Sequence, residues 1–350
     1  MKKHALRWAR RIDAALRRLR RDLLPAELVV FEDVTSSWLS SALGTACESG
    51  LAEHVAGGRW TDLAELEKKT EMSFEQLRRL FRVLASHGYF KLDPQENSVR
   101  QTRLSAGLQK GRAGHFCHLQ ASSWYRRCFA ADRVVQAMAK SQPSFDHLMG
   151  QPFFEYAQKE PGAGSLFSRA MAEITRFCAP YIAESLDLRR GERVLDVGGG
   201  NGEFCRLLQP YFKTVNFAVL DLEDHPSDPL IRHFRGDFFQ EVTSGFDHFL
   251  LKNILHDWDD EQALTVLDNC RQAVVHGRLS LIELILPSDS TKGAAGNDFS
   301  VDWNVYCTLG GRERTLEEYR TLLLRSGWRL QRVSPTATPL WVVEAVSIPS

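Results

Sequence analysis

The sequence predicts an α/β protein: a doubly wound, largely parallel sheet preceded by a mainly helical N-terminal domain. Three observations carry this reading. After residue 191, apolar runs ("RVLDVG", "NFAVLDL", "HFLLKNIL", "LSLIELIL", "LWVVEAV") alternate with segments of helical spacing such as "EQALTVLDNCRQAV" and "TLEEYRTLLLRSG", and apolar strands separated by helices indicate a sheet covered on both faces. The first run ends in "VLDVGGGNGEF" (194–204), which places four glycines within five residues. Ahead of this half, short helical patterns are followed by a hairpin signal.

The elements follow in order. Trp8, Ile12, Ala15, Leu16, Leu19 and Leu23 recur at helical spacing among arginines, so the chain begins with a basic amphipathic helix that Pro25 ends. Such a helix suits docking or dimerisation, with membrane-surface contact as the alternative. Thr61 and Ser73 are expected N-caps, the second for "FEQLRRLFRVLASHGYF", and Gly88 stops that helix. "YFKLDPQENSVRQT" then reads as two strands around a turn at 93–97. Helices followed by a wing make a winged-helix-like layout, which raises DNA readout through Arg78, Arg79 and Arg82. Residues 27–110 hold ten Lys or Arg against twelve Asp or Glu, an acidic balance that opposes tight duplex binding. From 115 to 180 the chain is helical and aromatic-rich, and Phe153, Phe154, Phe167 and Met171 are candidate substrate contacts. The expected division is 1–112, a helical dimerisation domain; 113–186, a helical linker contributing to the substrate pocket; and 187–350, the ligand-binding sheet domain.

Composition narrows the function. The 350 residues carry 44 basic and 44 acidic side chains, so no net field draws the protein to nucleic acid or anionic membrane. Seven cysteines with no C-x-x-C pair fit neither a disulfide framework nor a zinc site, and point to reduced thiols in a cytoplasmic protein with no bound metal. No apolar run reaches the roughly 20 residues of a membrane span, and the basic N-terminus lacks the apolar stretch of a secretory signal.

The glycine stretch lies where the first strand ends. Glycine admits positive φ and, lacking Cβ, lets backbone N–H groups approach a ligand. The dinucleotide fingerprint fails, because its third glycine would fall at Glu203, and a P-loop's Gly-Lys-Ser/Thr is absent. What remains is D-x-G-G-G-x-G with Asp196 on the strand end, and a second acid, Asp221, 25 residues on at the end of "FAVLD", where a carboxylate can hold a ribose diol.

"LDVGGGNG", "LDL", "RGDFF", "LLKNILHDWDDE", "IELILP" and "GGRERT" stand in the order and approximate spacing of the S-adenosylmethionine-dependent O-methyltransferases of the plant caffeic-acid and bacterial polyketide and antibiotic type, which the chain resembles over nearly its whole length. The resemblance implies a Rossmann-like class I methyltransferase sheet, a winged-helix-like dimerisation domain and a homodimer. It implies S-adenosylmethionine as cofactor, with Gly198, Gly199 and Gly200 beside its methionine part, Asp221 and Leu222 at the ribose, Asp237 and Phe238 at the adenine, and Lys252 beside them, Asp196 completing the set. A sulfonium nucleoside without phosphate agrees with an acid-lined glycine turn that has no P-loop lysine.

His256 in "ILHDWDD" follows a strand and precedes a helix capped by Asp257 or Asp259. A histidine near its usual pKa of about 6.5 can take a phenol's proton, and the resemblance implies that Glu283 and Glu313 orient it. Asn253, Trp258, Asp302 and Asn304 are further candidate substrate contacts, Asn253 standing where plant relatives often have tryptophan. The expected activity is methylation of an aromatic hydroxyl of a small specialised metabolite. The alternatives are the same fold using the cofactor without methyl transfer, in decarboxylation, hydroxylation or pericyclic chemistry, and a winged-helix DNA-binding regulator.

Overall fold

A computed structural model describes residues 3–223, 228–288 and 298–349. The chain forms two compact units, one of residues 19–136 and 145–174, the other of 1–18, 137–144 and 175–350.

In the first unit, strands β1 (Trp60–Asp62), β2 (Phe90–Leu92) and β3 (Ser98–Gln101) form an antiparallel sheet in the order β1-β3-β2. The wing expected from the sequence is β2 and β3, joined across 93–97. Leu77, Phe81 and Leu84 of the helix Phe74–Ser86 are buried against Leu51, Leu63, Leu66, Phe90 and Val99, with the Phe81 and Phe90 rings edge to face at 5.1 Å. Ser73 caps that helix as expected: its hydroxyl accepts the Gln76 N–H at 3.4 Å while Gln76 Oε1 accepts the Ser73 N–H at 2.8 Å. Thr61 does not cap a helix. It lies in β1 opposite Val99 and is buried, and Asp62 takes the N-cap position of the helix Leu63–Glu67; the β1 pairing outcompetes a local turn that ends one residue later.

In the second unit, strands β4 (Arg193–Val197), β5 (Asn216–Asp221), β6 (Arg232–Arg235), β7 (His248–Lys252), β8 (Arg278–Leu286), β9 (Arg314–Thr315), β10 (Trp328–Pro335) and β11 (Leu340–Ser347) build one sheet. Its order is β10-β11-β8-β7-β4-β5-β6, with β9 paired to β8. From β6 to β8 the strands are parallel. The chain runs from β4 outward through β5 and β6, then crosses back to β7 on the other side of β4, so the strand order reverses at β4. Ligands of such sheets bind at the carboxyl ends beside that reversal. β4, β5, β7 and β8 are buried along nearly their whole length, as continuous apolar runs require when both faces are covered.

Two features differ from the sequence expectation. "LWVVEAV" runs antiparallel to β8, because β10 and β11 form a hairpin at the sheet edge. β6 has only Phe234 as an apolar residue, and β10 places charged residues along its exposed face; neither offers the apolar run by which the other strands are read. The first helix, Lys3–Leu23, leaves Trp8, Ile12, Leu16, Leu19 and Leu23 exposed, while Arg7 donates to the Thr336 carbonyl at 3.1 Å. All seven cysteines are free thiols. No helix among the described residues is long and apolar enough to cross a membrane.

Candidate active site

The glycine turn sits at the carboxyl end of β4, and each glycine answers a different constraint. Gly198 has φ +73°, and a Cβ there would stand 2.6 Å from Ile254 Cδ1 and 3.3 Å from Phe238 Cε1. At Gly199 a Cβ would meet Asp196 Oδ2 at 2.6 Å, whereas at Gly200, φ +55°, nothing lies within 4 Å. The turn is therefore closed on its inner side and open where Gly200 lies. Asp196 is on the inner side: it is 2% exposed, with Oδ2 3.7 Å from Cys205 Sγ. Burial pushes its carboxyl up to about 7, against the nearby Lys252 cation and the Cys205 bond. It lies against Gly199, on the side of the turn away from Gly200.

Asp221 ends β5 on the open side. Oδ2 accepts the Gly200 N–H at 2.8 Å and Oδ1 the Glu223 N–H at 3.2 Å, so the carboxylate is fixed beside the turn, with Leu222 half exposed next to it. Phe238 packs against Phe239 at 4.9 Å, and Asp237 Oδ1 accepts the Phe239 N–H at 2.9 Å. Lys252 ends β7, its ammonium 5.8 Å from the centre of the Phe204 ring; burial lowers its pKa, opposed by Cys178, Asp196 and Glu283. A glycine edge that is open at Gly200, with a carboxylate anchored beside it and an aromatic ring at Gly198, suits a cationic nucleoside.

His256 lies in a 3₁₀ turn, Leu255–Asp257, directly after β7. Its Nδ1 is 2.7 Å from Glu313 Oε1 and 4.0 Å from Glu283 Oε2, and its Nε2 is 3.2 Å from Asp257 Oδ1. The side chain is 15% exposed, while those of Glu283 and Glu313 are fully buried. Glu283 Oε1 accepts the N–H groups of Ile254 and Leu255 at 3.0 and 2.9 Å. Because Ile254 also abuts Gly198, the histidine turn and the glycine turn share a wall.

Burial works against a charged imidazole, yet Asp257, Glu313 and Glu283 together outweigh it and hold His256 up at about 10. The acids respond in kind: burial raises Glu283 to about 7 and Asp257 to about 6, in both cases against the pull of the imidazolium. His256, Glu283 and Glu313 also bring ligand atoms within 4.8 Å of one another, but the 2.7 Å Nδ1–Oε1 contact is a hydrogen bond that fixes Nδ1 as donor.

The "GGRERT" segment builds the far side. A Cβ at Gly311 would stand 2.0 Å from the His256 carbonyl oxygen, and the Arg312 N–H donates to that oxygen at 2.8 Å. Arg314, fully buried, donates to the carbonyls of Leu255 and Trp258 at 2.7 and 2.8 Å and to Asp260 at 2.9 Å. Asp302 Oδ1 accepts the Glu313 N–H at 2.8 Å.

The structure thus brings His256, Glu283 and Glu313 together and adds Asp257 and Arg314, which the sequence reading did not place in the site. Asp257 was weighed only as a helix cap; that task falls to Asp259, whose Oδ1 accepts the Gln262 N–H at 2.8 Å. The adjacency of a second acid to the histidine was the available signal. Trp258 packs edge-on against Phe239 at 4.8 Å. Asn253 has φ +52°, donates its N–H to Ile282, and its Oδ1 has no hydrogen-bond partner among the described residues. Asn304, on the helix Asp298–Leu309, accepts the Thr308 hydroxyl on its carbonyl at 2.7 Å. Phe153, Phe154, Phe167 and Met171 belong to the other unit, where Phe153 is 2% exposed and contacts Phe145 and Phe167.

Residues 131–329 match the family model of the O-methyltransferase domain, and residues 31–110 that of the O-methyltransferase dimerisation domain. The chain is 29% identical over 337 residues to the phenazine O-methyltransferase PhzM of Lysobacter antibioticus, covering 92% of this chain and 96% of that protein. Among solved structures, that of LaPhzM superposes with a TM-score of 0.84 at 28% identity, over 93% of this chain and 100% of that one. CalO1, a methyltransferase in calicheamicin biosynthesis solved with S-adenosylhomocysteine bound, superposes with a TM-score of 0.78 at 25% identity, over 93% and 98%.

Proposed function

This chain belongs to the S-adenosylmethionine-dependent O-methyltransferases that act on small specialised metabolites, and from that premise we propose that it methylates an aromatic hydroxyl with His256 as general base. The observation that carries this reading is the 2.7 Å bond from His256 Nδ1 to the buried Glu313, which turns Nε2 toward any proton to be taken. The phenazine relative supports a flat aromatic acceptor.

S-adenosylmethionine, when bound, supplies a methyl group activated on a sulfonium. Gly198, Gly199 and Gly200, with Asp196 against Gly199, would hold its methionine part, Asp221 and Leu222 the ribose, and Asp237, Phe238 and Lys252 the adenine end. His256 removes the acceptor's proton; Glu313 and Glu283 hold the ring and stabilise the imidazolium that results. Asp257, at 3.2 Å from Nε2, yields that nitrogen to the acceptor hydroxyl. Asn253, Trp258, Asp302 and Asn304 are assigned to the acceptor side. Residues 1–112 serve dimerisation, 113–186 the substrate pocket and 187–350 the cofactor.

The protein acts as a homodimer. Val30, Phe31, Val34 and Trp38 are 55–72% exposed on the helix Ala26–Glu48, most of them within the dimerisation match. No duplex DNA readout is proposed: residues 27–110 hold ten basic against twelve acidic side chains, and Arg79 and Arg82 lie beside Glu75 and Glu96.

The test is His256→Ala assayed with labelled cofactor against a panel of hydroxylated phenazines and benzoates. Methylation should fall by about 10²-fold or more while cofactor affinity, read by calorimetry, stays within about threefold. Undiminished turnover would remove the histidine from the chemistry.

A further inference from the structure

We infer that Cys47 and Cys117 form a reversible disulfide, a redox-modification site in the N-terminal unit that methyl transfer does not use. The geometry begins at Gly44. A Cβ at Gly44 would stand 1.9 Å from Ala121 Cβ and 3.9 Å from the Cys117 carbonyl oxygen, so the helices Ala26–Glu48 and Gly114–Ala121 touch almost backbone to backbone there. Close backbones are what the short Cα separation of a disulfide demands. Cys47 lies three residues beyond Gly44 on one helix, and Cys117 four residues before Ala121 on the other. Both positions face the contact, one turn away from it. Cys117 accordingly packs against the apolar cluster that contains Cys47.

The two sulfurs are not equivalent. Cys47 is 5% exposed and also points at the Leu108 carbonyl, 3.7 Å away; Cys117 is partly exposed. The neighbouring Cys47 thiol lowers the Cys117 thiol, against burial and the nearby Glu173, whereas Cys47 is pushed up by Cys117 and by burial. Cys117 is therefore the attacking thiol and Cys47 the resolving one. Among the described residues the one cluster with metal-ligand spacing is at His256, so this thiol pair is not half of such a site.

With hydrogen peroxide as oxidant the step balances. Cys117 sulfur attacks a peroxide oxygen, the O–O bond breaks, and a sulfenic acid and one water result. Cys47 sulfur then attacks Cys117 sulfur; the S–S bond forms, the S–O bond breaks, and the leaving hydroxide departs as a second water with the Cys47 proton. Two thiols lose two electrons and one peroxide gains them. Reduction by a dithiol reverses the change.

The experiment treats the full-length protein with hydrogen peroxide, alkylates it under denaturing conditions and maps its peptides by mass spectrometry. The expected product is a Cys47–Cys117 linked peptide that dithiothreitol abolishes, with Cys128, Cys178, Cys205, Cys270 and Cys307, all buried, still alkylated. In Cys47→Ala, Cys117 should instead be trapped by dimedone as the sulfenic acid. Recovery of both thiols alkylated after treatment that oxidises a control dithiol, a bridge to any other cysteine, or over-oxidation of Cys117 without a bridge overturns the inference. The wild-type map decides the question even if the variant folds poorly, and its outcome is independent of whether His256 is the base.

Discussion

At the residue scale, the charge balance around His256 fixes how the rate should depend on pH. Three carboxylates hold the imidazolium up at about 10 in the ligand-free protein, so at neutral pH most rings carry the proton that a general base must lack. The neutral ring becomes more abundant as pH rises, and kcat/KM should therefore climb through the neutral range toward the alkaline limb. Glu313→Gln removes one of the charges that favour the protonated ring. Its profile should rise at lower pH than the wild type's, while the plateau falls by about 10- to 100-fold because the tautomer is less firmly set. A pH–rate series on both proteins reads the two effects separately; a limb that does not move would mean that Glu313 acts on orientation alone.

The turn that carries the histidine is held at the element scale. Leu255–Asp257 has no side-chain cap of its own; its carbonyls are gathered by Arg314 and by the Arg312 N–H, and its entry by Glu283, which binds the Ile254 and Leu255 amides. Arg314 serves two carbonyls and one carboxylate at once, which a lysine cannot do. Arg314→Lys should lower kcat by about tenfold and leave cofactor affinity near wild type, since the glycine turn keeps its own supports. Equal losses in both, measured by steady-state kinetics and calorimetry, would mean that the whole sheet edge had loosened. The elements themselves were legible where burial wrote an apolar run: β4, β5, β7 and β8 were all read from sequence, as were the Ser73 cap and the position of the glycine turn. β6 and β10 were not, because edge strands need bury little. His256, Glu283 and Glu313 were legible only through motifs, since no spacing along the chain tells that residues 27 and 57 positions beyond His256 meet its ring. Asp257 and Arg314 were missed because a cap and a basic residue have commoner uses, and only the fold shows what they touch.

At the scale of the whole molecule, the unburied apolar surface on the first two helices requires a partner. On Ala26–Glu48, Phe31, Val34 and Trp38 are 66–72% exposed, three large side chains on adjoining turns, in a helix whose buried residues are Val29 and, in its C-terminal turns, Gly44, Ala46 and Cys47. A patch of this kind marks an interaction site, and it falls within the dimerisation match. Withdrawing one such side chain from water contributes roughly 1.5–3 kcal/mol, and 1.4 kcal/mol is a factor of ten in an equilibrium. In a symmetric dimer each substitution acts on both subunits, so the effect doubles when the residue is buried in both. Trp38→Asp should therefore raise the dimer dissociation constant by about 10²-fold or more, and light scattering at micromolar concentration should find a monomer where the wild type is dimeric. The carboxylate lies on an exposed face of a helix whose core contacts are elsewhere, so the variant's far-ultraviolet circular dichroism should match the wild type's. A Trp38→Asp protein that remains dimeric would move the interface off this helix, with the basic stripe of Lys3–Leu23 the next surface to test.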